Sequence, residues 1–147
     1  MLIGYYNMKK SYLLIPMLFV LMSCHSREAL EEGLMGSWEY VETKTGQRGC
    51  IEYQENQKMR EHMSFNPDLP TRHFVGIWHP LRGLRVQHHL GWARDKEGNE
   101  LPMDKVTGWR RTLFNISSLK SDTHKMHSSS GAIFEARRVD NCSAFLS

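Results

Sequence analysis

The sequence lacks an apolar run long enough to cross a bilayer. Its longest, Tyr12 to Met22, holds eleven residues interrupted by Pro16, where a membrane helix needs about 20. It also lacks a strong excess of charge. The net charge is +3, and removing Lys9 and Lys10 leaves the remainder at about +1. Lys and Arg are interleaved with Glu and Asp rather than gathered on one stretch, which argues against nucleic acid as a partner. No Gly-x-Ser-x-Gly occurs, and no cysteine sits in a catalytic setting. Gly83, Gly91 and Gly98 stand alone, so no glycine-rich loop is available to cradle a phosphate. No internal repeat is visible, and Ser128 to Gly131 is the one stretch of low complexity. A helical pattern is missing too: the best candidate, Arg27 to Leu34, is about two turns long and weakened by Gly33.

What is present divides the chain in two. Met8-Lys9-Lys10 gives a short positive segment, and Tyr12 to Met22 follows it as an apolar stretch of signal-peptide length. A buried core helix would show a polar face, and this run has none. Leu21-Met22-Ser23-Cys24 then resembles the lipobox of bacterial lipoprotein precursors. The resemblance implies cleavage before Cys24 and attachment of a diacylglycerol to its sulfur. Residues 1–23 are therefore expected to be a lipoprotein signal peptide, with translation starting at Met8 as an alternative to Met1. Residues 24–33 are expected to be a lipidated polar tether. Two or three acyl chains hold a protein firmly to a membrane face, so the expected location is the bacterial cell envelope, with the membrane reached through the N-terminal lipid.

About 124 residues remain, enough for one domain that needs neither metal nor disulfide merely to fold. They read as short β-branched and aromatic segments separated by turn signals every 8–12 residues or so. Strand candidates are Ser37–Glu42, Cys50–Tyr53, Met59–Phe65, His73–Trp78 (stopped by Pro80) and Leu84–Leu90. Gly91–Arg94 and Glu100–Leu101 read as a hairpin around residues 95–99. Thr107–Leu119, His124–His127 and Ala132–Val139 complete the series. The fold class expected is all-β, a small antiparallel up-and-down β-barrel.

Leu34-Met35-Gly36-Ser37-Trp38 resembles the opening of lipocalin-like domains, which begin their first strand with Gly-x-Trp. Met63 to Asp68, Phe114 to Leu119 with Ser121-Asp122, and Phe134 to Val139 resemble later elements of the small bacterial members. The resemblance spans residues 34–140, and 141–147 is expected to be a tail. It implies that Trp38 plugs one barrel end beneath a last-strand arginine, a contact worth about 0.5–2 kcal/mol. The parity of Phe134, Ala136 and Arg138 favours Arg138 over Arg137. The second and third lipocalin signatures are absent, and Gly76-Ile77-Trp78 repeats the Gly-x-Trp where the family pattern does not require it.

Eight histidines raise the question of a metal. His88 and His89 are adjacent, so on a strand they face opposite ways, and His124-Lys125-Met126-His127 falls in a strand rather than a helix. His62, His73 and His79 converge with His88 only under a suitable strand pairing. No zinc-like spacing is present, and neither a metal nor another cofactor is expected. Glu31-Glu32 reads as a solvated run, and Asn115-Ile116-Ser117 as a chance glycosylation sequon. With Cys24 lipidated, Cys50 and Cys142 remain, an even pair for which an oxidising compartment permits a disulfide; the alternative is two free thiols. Phe65, Phe74, Trp78, Trp92, Trp109, Phe114 and Phe134 provide aromatic surface for a pocket or for a packed core.

The function expected is non-enzymatic binding of a small, largely apolar ligand by a membrane-anchored module. The alternative is a structural or inhibitory lipoprotein with a filled barrel that binds a protein through its outer surface. An exported hydrolase is the third reading.

Overall fold

The computed structural model describes residues 27–146. The signal peptide, Cys24 and the start of the expected tether lie outside them. Eight strands follow one another around a closed antiparallel barrel: β1 (Gly36–Glu42), β2 (Arg48–Tyr53), β3 (Lys58–Ser64), β4 (Arg72–Leu81), β5 (Arg85–Trp92), β6 (Thr107–Leu119), β7 (Thr123–Ser128) and β8 (Ile133–Val139). The last strand closes on the first, with Trp38 opposite Arg138 and Tyr40 opposite Ala136. The up-and-down barrel expected from the sequence is the fold observed. Closure leaves no open sheet edge.

Period-two alternation decides what faces inward. Trp38 and Tyr40 of β1, Ile51 and Tyr53 of β2, Trp78 of β4, Val86 of β5, Phe114 and Ile116 of β6, and Met126 of β7 form one buried core. Both Gly-x-Trp motifs have a steric cause. Gly36 has φ +113°, and a Cβ there would lie 2.8 Å from a guanidinium nitrogen of Arg138. A Cβ at Gly76 would collide with the backbone carbonyl of His89 on the neighbouring strand. Glycine is needed at Gly36 for its positive φ and at Gly76 for the close approach of the neighbouring backbone.

Three expectations need correction. Residues 27–33 are not a free polar tether: residues 27–34 are helical, and Leu30 and Leu34 are buried in the core. Two apolar side chains four apart on one face gain enough burial to fix a helix too short to persist alone. Within the expected tail, residues 141–146 are fixed to the barrel, because Cys142 and Phe145 pack with Cys50 and Val139 in a second cluster on the outer wall. Pro80 does not stop β4, which runs on to Leu81. Beyond Ile77 that strand pairs with β5 alone, so a missing N–H on its other side costs nothing. The hairpin expected around residues 95–99 is present and short: Arg94 bridges Glu100, and the N–H groups of Asp95 and Leu101 donate to the carbonyls of Asn99 and Ala93 at 3.0 and 2.8 Å. Trp92 already pairs with Thr107, and a closed barrel offers extra strands no neighbour.

Candidate ligand-binding cavity

One end of the barrel is shut. The helical segment lies over it, and the Trp38 indole N–H donates to the carbonyl of Leu34 at 2.7 Å. The Arg138 guanidinium sits 4.2 Å from the Trp38 ring centroid. It donates to the carbonyls of Ser121 at 2.7 Å, Met35 at 2.6 Å and Gly33 at 2.9 Å. One side chain thus satisfies carbonyls left over at the helix end and ties them to the β6–β7 turn. His124 lies edge-on to Trp38 at 4.5 Å. It is buried with neither ring nitrogen hydrogen-bonded, and burial, then the Arg138 charge, pushes its pKa down to about 4.

The middle of the barrel is filled. Tyr53 packs edge-on against Trp78 at 4.9 Å, and Tyr40 against Phe134 at 5.5 Å. The Tyr40 hydroxyl donates to Glu61 Oε1 at 2.6 Å, and the Tyr53 hydroxyl shares a hydrogen bond with His88 Nε2 at 2.8 Å.

Above this layer the interior opens into a cavity of about 230 Å³. His88 and Phe114 form its floor, their rings 4.6 Å apart. Phe74, Leu90 and Thr112 form walls, and Glu61 faces into it from β3. The rim carries Phe65, Trp92, Arg72 and Arg110. The Arg72 guanidinium lies 4.5 Å from the Phe65 ring centroid and 5.5 Å from that of Trp92. Burial raises the Glu61 pKa, opposed by the Tyr40 hydrogen bond. Burial, then the nearby His124, pushes His88 down to about 3. The cavity therefore presents a neutral imidazole, one carboxyl group, aromatic faces and a cationic mouth.

Of the aromatic residues singled out from sequence, Phe65, Phe74, Trp92 and Phe114 meet at this cavity. Trp78 and Phe134 fill the barrel below it, and Trp109 lies outside against His89 at 4.9 Å. His88 and His89 face opposite sides, as strand geometry requires. Glu61 was not anticipated, although a signal for it exists: it alternates with Met59 and Met63, which puts a charge on an otherwise apolar face.

Other chemistry gathers on the outer wall. Cys50 and Cys142 form a disulfide, S–S 2.01 Å. Beside it, His62 Nε2 lies 3.0 Å from Glu52 Oε2, and His62 Nδ1 lies 2.8 Å from His73 Nδ1. Burial, then the charges of Arg94 and His62, pushes the His73 pKa down to about 4. Glu52, His62 and Cys142 present ligand atoms within 4.8 Å of one another. A disulfide sulfur is not a thiolate, so the three do not form a ready metal site. His79 and His88 are not part of this group.

No protein-family model matches the chain, and no curated protein matches it. Among solved structures it is similar to a lipocalin-like protein from Bacteroides uniformis ATCC 8492, at 17% identity and a TM-score of 0.47. That match covers 73% of this chain and 99% of the other.

Proposed function

We propose that this chain is a membrane-anchored, lipocalin-like lipoprotein whose barrel holds a small, largely apolar ligand without reacting with it. The observation that carries the reading is the cavity of about 230 Å³ at the unplugged end, walled by Phe74, Leu90 and Phe114. Ligand sites are concave, mostly apolar and furnished with a few polar groups, and this cavity has that composition. It also counts against a wholly filled barrel, on which the protein-binding alternative depends.

The anchor rests on the apolar run and the Leu21-Met22-Ser23-Cys24 junction. Cys24 precedes Arg27 by three residues, a reach of at most about 10 Å. Residues 27–34 cover the plugged end, so acyl chains on Cys24 would bring that end to the membrane. The mouth then opens to the aqueous side, and the ligand enters from water.

Native mass spectrometry of the chain purified from its own host tests both parts. The expected result is a diacylglycerol-modified Cys24 and a small molecule retained without a covalent bond. An unmodified, uncleaved N-terminus removes the anchor, and a bare barrel mass removes the ligand.

A further inference from the structure

We infer that the cavity takes a small planar organic anion, held with its acid group at the mouth and with an N–H or O–H at its far end directed to Glu61. This rests on the ligand-binding reading above and names the class of ligand.

The mouth is cationic and uncompensated. Arg72 and Arg110 both line it. Among the described residues the ion pairs are Arg60–Glu100, His62–Glu52, Lys125–Glu135 and Arg137–Glu39, and neither rim arginine takes part. Arg72 is held by aromatic rings instead of a carboxylate. A guanidinium fixed in this way keeps its forked donors free for a carboxylate or sulfonate.

The inner end asks for the opposite. Glu61 spends Oε1 on the Tyr40 hydroxyl, which leaves its second oxygen to be matched by a ligand. A ligand covering it without a donor would strand a buried acceptor, at a cost of about 1–3 kcal/mol. A cationic ligand would have to pass two guanidinium groups to reach it. A neutral N–H or O–H does not meet that barrier.

The spacing fixes the ligand's length. On β3 and β4, Glu61 stands opposite Phe74, and Met63 stands opposite Arg72. The two Cα positions are therefore two residues apart along the barrel, about 7 Å, and the Arg72 guanidinium reaches further toward the mouth, over Phe65. That separation suits one aromatic ring system carrying a short acid arm. A cavity of about 230 Å³ suits a mono- or bicyclic acid. Phe74 and Trp92, with ring centroids 4.8 Å apart, supply flat walls for such a ring.

Calorimetric titration of the purified chain with four related probes tests this: indole-3-acetate, its N-methyl analogue, indole and tryptamine. Indole-3-acetate is expected to bind about ten-fold more tightly than indole, through charge-assisted hydrogen bonds at the rim. That advantage should shrink as salt is raised. N-methylation should cost about ten-fold by leaving Glu61 unmatched, and tryptamine should bind more weakly than indole. Arg110→Gln should bring indole-3-acetate close to the affinity of indole. Binding of indole with no preference for the acid, or equal binding of the N-methyl analogue, overturns this inference and leaves the cavity reading standing. Binding of none of the four at millimolar concentration overturns both.

Discussion

Removing the Cys50–Cys142 cross-link should cost this barrel a large part of its stability. The bridge spans 92 residues, so without it the unfolded chain regains the freedom of nearly the whole domain. Loop-closure entropy for a ring of that length gives about 4.6 kcal/mol at room temperature. The native side offers little relief, because Cys50 and Cys142 are buried with Phe145 and Val139 against them. A Cys50→Ala/Cys142→Ala chain keeps the strand pairing of β2 with β1 and β3 and loses the pin on the C-terminal segment. Urea unfolding followed by tryptophan fluorescence should place the loss between about 3 and 5 kcal/mol, with a melting temperature lower by roughly 15–20 °C. Amide exchange at Phe145, whose N–H bonds to the Cys142 carbonyl at 2.9 Å, should accelerate out of proportion to the barrel strands. A loss below about 1 kcal/mol would refute the entropic reasoning. Free thiols at both Cys50 and Cys142 in the chain purified from its host would refute its premise.

The other expectations concern the plug, the glycines and the buried histidines. Arg138→Ala removes the stack on Trp38 and three hydrogen bonds to carbonyls, so it should destabilise by about 2 kcal/mol and loosen residues 27–34 first, as read by hydrogen exchange. Gly76→Ala drives a methyl into the His89 carbonyl and should cost more than about 3 kcal/mol in denaturant melts; normal stability would mean that β4 and β5 do not approach as described. His124→Leu removes two buried nitrogens without partners and should leave stability unchanged or raise it by about 1 kcal/mol. For pH, His88 and His124 have folded pKa values pushed down to about 3 and 4, against about 6.5 unfolded. Between those values the unfolded chain binds more protons, so stability falls as pH drops from about 6.5 to 4, by about 2.7 kcal/mol per unit for the pair. Urea midpoints across that range should show the slope, which His73, its pKa also pushed down to about 4, steepens; His124→Leu should remove the His124 share, about 1.4 kcal/mol per unit.

Much of the barrel was legible because closed antiparallel sheets write themselves as alternation. Trp38-Glu39-Tyr40 and Thr112-Leu113-Phe114 each declare an inner and an outer face. The turn signals at Asn66-Pro67-Asp68 and Lys120-Ser121-Asp122 also fall between strands. What failed was information held by tertiary contact. Nothing local in Arg27 to Leu34 says that Leu30 will meet the core, and nothing near Pro80 says that β3 ends before reaching it. The cavity was out of reach because its walls come from β3, β4, β5 and β6 together. Which residues meet there depends on pairing register, and a slip of one residue exchanges the faces. Cys50 and Cys142 could be proposed as a pair by counting. Their neighbours His62, His73 and Glu52 follow from the β2–β3–β4 register, which the sequence does not state.

The central claim is that a small molecule occupies the open half of the barrel. The most direct test is NMR of the isotope-labelled chain titrated with indole, following side-chain and amide resonances. The account predicts the largest shifts at Phe74, Leu90, Thr112 and Phe114, fading toward Trp38. Shifts confined to the outer face around Lys125 and Glu135, or no shifts with indole or with indole-3-acetate at millimolar concentration, would contradict it.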